Sequence, residues 1–191
     1  MNSRKKESCI RAYAKICKSL GLSLSGDASE TPRRVVEMLC ELTSSVKKVW
    51  TNDPADLPFK FTTFLYTGDS VVTSVGMEFS VLCEHHHLPF IGEAAVGYLP
   101  NRKIAGLSKI PRVIDWISKA PTTQEVFTDR IADFILHHLN PTGLVVQTKA
   151  KHTCVCARGP RSCSHKTVVT VIRGQDGFGV KDEILATIKG A

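Results

Sequence analysis

Cys83, Glu84, His85, His86 and His87 occupy five consecutive positions. The whole chain of 191 residues holds only seven cysteines and seven histidines, so such crowding points to chemistry. Thiolate and imidazole are the ligands that zinc prefers. A second cluster, His152-Thr153-Cys154-Val155-Cys156-Ala157-Arg158, lies far along the chain. Two remote half-sites meet only if the fold brings them together. Catalytic zinc sites are commonly built this way, with three protein ligands and one open position. Cys83 and His86 have the C-x-x-H spacing that lets both grip one ion, and Cys154 supplies a third ligand. A fourth protein ligand, His87 or Cys156, would close the site as a structural one. The reading favoured here is three ligands and a water, whose pKa zinc lowers to about 7. His85 and His152 then lie beside the metal and can move protons, since imidazole titrates near neutrality.

The elements that must position these residues follow from periodicity. Leu144 to Arg158 reads as one long strand. Alternate residues of a strand share a face, so His152, Cys154, Cys156 and Arg158 are expected in one row. Lys166 to Arg173 pairs back onto it across a polar hairpin turn. Val71 to Leu82 is rich in β-branched residues and forms an earlier strand, with Phe90 to Leu99 its partner beyond the cysteine-histidine cluster. Between the two hairpins lie two helices. Leu107, Ile110, Val113, Ile114 and Ile117 mark the first, and Phe127, Ile131, Phe134, Ile135 and His138 the second, which starts near Thr122. Thr122 and Glu125 have the spacing of a capping box. A short last helix spans 181 to 189.

Upstream, Ile10, Tyr13, Ala14, Cys17 and Leu20 are spaced as in a helix that Gly21 stops. Thr31-Pro32 reads as N-cap and first residue of a second helix. Residues 50 to 68 form a connector with one short strand. The expected organisation is a helical appendage over residues 1–48 and a catalytic domain over 49–191. The element order favours an α+β fold, a four-stranded antiparallel sheet with two helices on one face. Four strands leave two open edges, which suits pairing with further copies of the chain.

The net charge of +7 is compatible with an anionic partner. Its basic residues are dispersed, with Arg33-Arg34 and Lys47-Lys48 the densest doublets, which argues against a nucleic-acid stripe. No apolar run reaches the roughly 18 residues of a membrane span. Met1 to Arg11 is charged, with no apolar run behind it, so no export signal is expected. Seven unevenly spread cysteines then suit free thiols and metal ligands in a reducing cytoplasm.

Several segments resemble the GTP cyclohydrolase I family. Cys83-Glu84-His85-His86 with Pro89-Phe90 resembles its first zinc segment, and His152-x-Cys154 with Arg158-Gly159 its second. Gly106-Leu107-Ser108-Lys109 with Arg112 resembles its phosphate-binding segment, Gln124-Glu125 its guanine-reading pair, and Glu30-Thr31-Pro32-x-Arg34 its N-terminal signature. The chain departs from the family pattern at His87, Pro111, Val126, Cys156 and Pro160. The resemblance implies a tunnelling fold, in which small antiparallel sheets join into a barrel. It also implies a homodecamer with active sites at subunit interfaces, and zinc on Cys83, His86 and Cys154. The implied reaction opens the imidazole ring of GTP at C8, releases formate and closes to 7,8-dihydroneopterin triphosphate. His152 would serve N7 and His85 the ribose side. Glu125 would accept hydrogen bonds from guanine N1–H and its 2-amino group, while Ser108, Lys109, Arg112, Arg158 and Arg34 would hold the triphosphate. Two other readings are a diverged tunnelling-fold enzyme for another purine nucleotide, and a basic RNA-binding module with a structural zinc.

Overall fold

The computed structural model describes residues 2–46, 56–174 and 181–190. The chain divides into two compact units, Met1–Ser44 and Ser45–Ala191. The boundary expected at residues 48 and 49 lies outside the described residues.

The first unit is a helix pair. Helix α1 (Ser3–Ser19) starts where the Asn2 side chain accepts a hydrogen bond from Lys5 N at 3.0 Å. It ends at Gly21, whose φ of +72° suits a residue without Cβ. Helix α2 (Thr31–Leu42) begins one residue earlier than expected. A 3-10 turn over Gly26–Glu30 already delivers the chain in helical geometry, so Thr31 is helical and caps nothing. Cys17, Pro32 and Val36 are buried in the pair, and Lys6 bonds Glu37 across it at 2.7 Å.

The second unit is built on a four-stranded antiparallel sheet in the order β2-β3-β5-β6. These strands are β2 (Val72–Leu82), β3 (Pro89–Leu99), β5 (Gly143–His152) and β6 (Thr167–Arg173). Strand β2 carries a bulge between Ser74 and Met77, where Gly76 takes φ +68°. Helices α3 (Lys109–Ser118) and α4 (Gln124–Leu139) share one core with one face of the sheet. Val113, Ile114, Phe127, Ile131 and Ile135 pack there with Phe90, Val96 and Leu144, all fully buried. Each such side chain contributes about 1.5–3 kcal/mol. The opposite face is partly covered by α6 (Lys181–Gly190), whose Ile184 lies where a Cβ on Gly97 would be. Gly92 permits a close approach of β5: a Cβ there would collide with Lys149 O and lie 2.7 Å from Ala150 Cα.

A small ladder of β1 (Thr63–Leu65) and β4 (Lys103–Ala105) joins the connector to the segment after β3. The sequence suggested β1 but not β4. Leu107, expected in the stripe of α3, precedes the helix and is 93% exposed. Helix α4 is capped by Thr123, whose side chain accepts from Val126 N at 3.4 Å, so Thr122 and Glu125 form no capping box. Thr122 instead bridges to Cys83. The largest departure is the expected strand Leu144 to Arg158. It stops at His152, and Thr153–Cys156 winds into one helical turn, α5.

Candidate active site

Strands β3 and β5 pair in a register that sets Phe90 opposite His152. The start of one strand and the end of the other therefore meet at one end of the sheet, and this joins the two half-sites. Before β3 the chain turns tightly: Cys83 N donates to Leu88 O at 3.0 Å and His87 N to Cys83 O at 2.8 Å. His87 takes φ +50° in this turn. Cys83 is buried, while His85 and His86 are exposed.

After β5, Thr153 Oγ1 donates to Pro89 O at 2.6 Å, and Ala157 N to Thr153 O at 2.8 Å closes α5. The winding places Cys154 with Cys83 and sends Cys156 to Ser162 O, 3.7 Å from its thiol. The single row expected of His152, Cys154, Cys156 and Arg158 is thus not formed. A helical turn rotates successive side chains by about 100°, not 180°.

One ligand atom from each of Cys83, His86 and Cys154 lies within 4.8 Å of the other two. Two thiols and an imidazole at that spacing could hold a metal ion. Burial first, and then the neighbouring Cys83 thiol, raise the Cys154 thiol above its ordinary pKa. A cation between the sulfurs would reverse that, because ligating thiols are deprotonated. Neither His87 nor Cys156 joins this group among the described residues. Arg158 Nη1 lies 2.9 Å from His86 Nε2. A guanidinium only donates, so His86 is the acceptor there. His85 Nδ1 lies 3.7 Å from Cys83 Sγ.

The segment entering α4 runs beside Cys83. Thr122 N donates to Leu82 O at 3.0 Å, and Glu84 N to Thr122 O at 3.3 Å. Gln124 and Glu125 follow in the first turn of α4. Glu125 is exposed, whereas Gln124 is 1% exposed with its side chain turned inward. His152 Nε2 meets Gln124 Oε1 at 2.9 Å, and the His152 ring stacks on Phe90 at 5.0 Å and 15°. Burial depresses the His152 pKa; the Glu125 carboxylate opposes this and His165 adds to it.

A family model described as GTP cyclohydrolase I matches residues 10–187. The chain belongs to the GTP cyclohydrolase I family. It is 39% identical to the GTP cyclohydrolase 1 of Listeria welshimeri over 163 residues, which is 84% of this chain and 83% of that one. It is 38% identical to that of Streptococcus pyogenes over 161 residues, 82% of this chain and 79% of the relative. Among solved structures, the apo archaeosine synthase QueF-Like aligns with a TM-score of 0.48 at 14% identity, covering 56% of this chain and 97% of that one.

The other residues suggested by resemblance to the GTP cyclohydrolase I family sit as follows. Ser108 is exposed just before α3, and its hydroxyl makes no cap bond. Lys109 opens that helix and Arg112 is exposed in its first turn. Arg34 is exposed on α2 of the first unit. Two residues escaped the sequence reading. His165 influences His152 from the loop before β6, a placement that only the β5–β6 register reveals. Thr148 is fully buried on β5 and binds the Gln124 amide; an unremarkable strand threonine gives no sequence signal for that role.

Proposed function

We propose that this chain is a zinc-dependent GTP cyclohydrolase I. Water adds at C8 of the guanine, formate leaves, the ribose rearranges and the ring closes to 7,8-dihydroneopterin triphosphate. The observation that carries this reading is the convergence of Cys83, His86 and Cys154 from the two half-sites, in a chain of this family. Two sulfurs and one imidazole are a donor set that suits zinc and leaves a position open. Zinc held by Cys83, His86 and Cys154 would supply a Lewis acid and an activated water.

The chain's own residues supply the rest. His152, half-buried at the end of β5, delivers the proton to N7 that ring opening requires. His85, on the exposed turn, moves a proton on the ribose side. Glu125 accepts from guanine N1–H and the 2-amino group, a donor pair that adenine lacks. Ser108, Lys109 and Arg112 at the start of α3, together with Arg158, take the triphosphate, where an arginine can engage two oxygens at once. The fold fits a tunnelling fold, and the two sheet edges left open among the described residues fit a homodecamer with sites at the subunit interfaces. A cytoplasmic setting suits free thiols; among the described residues no helix is long and apolar enough to cross a membrane.

Incubation with GTP and with dGTP, followed by formate release and pterin absorbance, tests the reading. Cys154→Ala is expected to lose bound zinc and formate release together. His152→Ala is expected to keep zinc and lose ring opening. A Cys154→Ala protein that turns over without metal overturns the proposal.

A further inference from the structure

Gln124 is 1% exposed, and each polar atom of its side chain has a protein partner. Its Nε2 lies 3.2 Å from Thr148 O, 3.0 Å from Thr148 Oγ1 and 3.1 Å from Thr167 O. Two of these partners are backbone carbonyls, which only accept, so this end of the amide must be the NH2. The hydroxyls agree. Thr128 Oγ1 donates to Gln124 O at 2.7 Å, so the 2.7 Å contact between Thr128 and Thr148 takes its hydrogen from Thr148. Thr148 Oγ1 is then left to accept from Gln124. With the amide oriented in this way, Oε1 faces His152 Nε2 at 2.9 Å. An amide oxygen only accepts, so Nε2 of His152 carries the hydrogen.

We propose that Gln124 is a positioning residue that fixes the tautomer and the ring orientation of His152, leaving Nδ1 as its one nitrogen free to exchange a proton with a ligand. This assignment rests on His152 having the role given above. Phe90, stacked on the ring at 15°, sets its plane, and Gln124 sets its rotation within that plane. The neutral ring then meets the substrate with a lone pair on Nδ1. It takes one proton there from the attacking water and returns it to N7. The hydroxyl goes to C8, the hydrogen to N7, and His152 ends as it began. Gln124 thus acts through His152, while Glu125, the next residue, faces outward.

The test is the tautomer itself. In metal-loaded, full-length protein labelled with 15N-histidine, long-range 1H–15N correlation reads which ring nitrogen bears hydrogen, and His152→Asn identifies the resonance. The wild type is expected to show His152 protonated at Nε2. Gln124→Met, which removes the acceptor at similar volume, is expected to show mixed tautomers. Its kcat should fall about tenfold or more, against the roughly 10²–10⁴-fold that a positioned proton donor supplies, with KM within about threefold. Gln124→Glu keeps an acceptor toward His152 and should restore the single tautomer and part of the lost kcat. Hydrogen on Nδ1 in the wild type overturns the proposal and decides it even where Gln124→Met does not fold. A Gln124→Met enzyme with unchanged kcat and raised KM also overturns it, returning Gln124 to a role in binding. If wild type releases no formate, the functional reading fails, but the spectrum still decides this one.

Discussion

His138 lies on the core side of α4 against the Phe134 ring at 4.1 Å and the Phe61 ring at 5.4 Å, and its Nε2 is buried with no partner among the described residues. Burial first, and then His137 beside it, hold its pKa below the ordinary value. The unfolded chain takes up this proton as pH falls through about 6.5, while the folded chain resists until lower pH. Stability from this site is therefore complete above the unfolded pKa and is lost as pH falls toward the folded one. His138→Leu is expected to be the more stable protein, by about 1 kcal/mol from the missing unpaired nitrogen. Its advantage should widen on going from about pH 8 to about pH 5. Urea titrations at the two pH values check this, and an advantage that does not change with pH would refute it. The residues of the candidate metal centre were far easier to read. Cys83, His86 and Cys154 stand out by type and crowding alone, and chemistry this specific leaves a mark in the sequence. His138 carried a helical-face signal and nothing to say that its nitrogen would be stranded. Resemblance singles out Gln124, but only the packing of α4 on β5 and β6 shows which way its side chain turns.

Arg173 ties β6 to α4, bonding Asp129 at 2.6 Å and Asp133 at 3.3 Å. The side chain is about one-third exposed, so the pair is worth more than a surface contact and less than a buried one. Arg173→Ala is expected to cost about 1 kcal/mol. The difference from wild type should shrink at high salt, which screens the parent's pairs. Denaturation at two ionic strengths measures both effects. Elements with sustained periodicity were legible: β2, β3 and α4 lie within a residue or two of where the pattern puts them. Short elements were not. The three-residue β4 is too brief to show alternation. At α5, Val155 prolongs the apolar pattern of β5, so the sequence reads as strand. What bends the chain is the bond from Thr153 to Pro89, a contact with another strand that local sequence does not encode.

At the scale of the whole chain, β2 and β6 are edge strands of the main sheet. Unpaired edges invite further strands. In the proposed homodecamer they would be satisfied by neighbouring copies. The expected result in sedimentation analysis is a species many times the mass of one chain, and a stable monomer at micromolar concentration would count against it. The narrow gap at Gly92 carries a further implication. The two cysteines that would share an ion sit on opposite sides of the seam between β3 and β5, and at this position the seam has room for hydrogen alone. Gly92→Ala would act as a wedge driven into that seam. It touches no ligand, yet it should prise the sulfurs apart, costing about 1–3 kcal/mol of stability and loosening the grip on the proposed zinc in step. How tightly the proposed ion is kept would then be decided by a residue with no side chain at all.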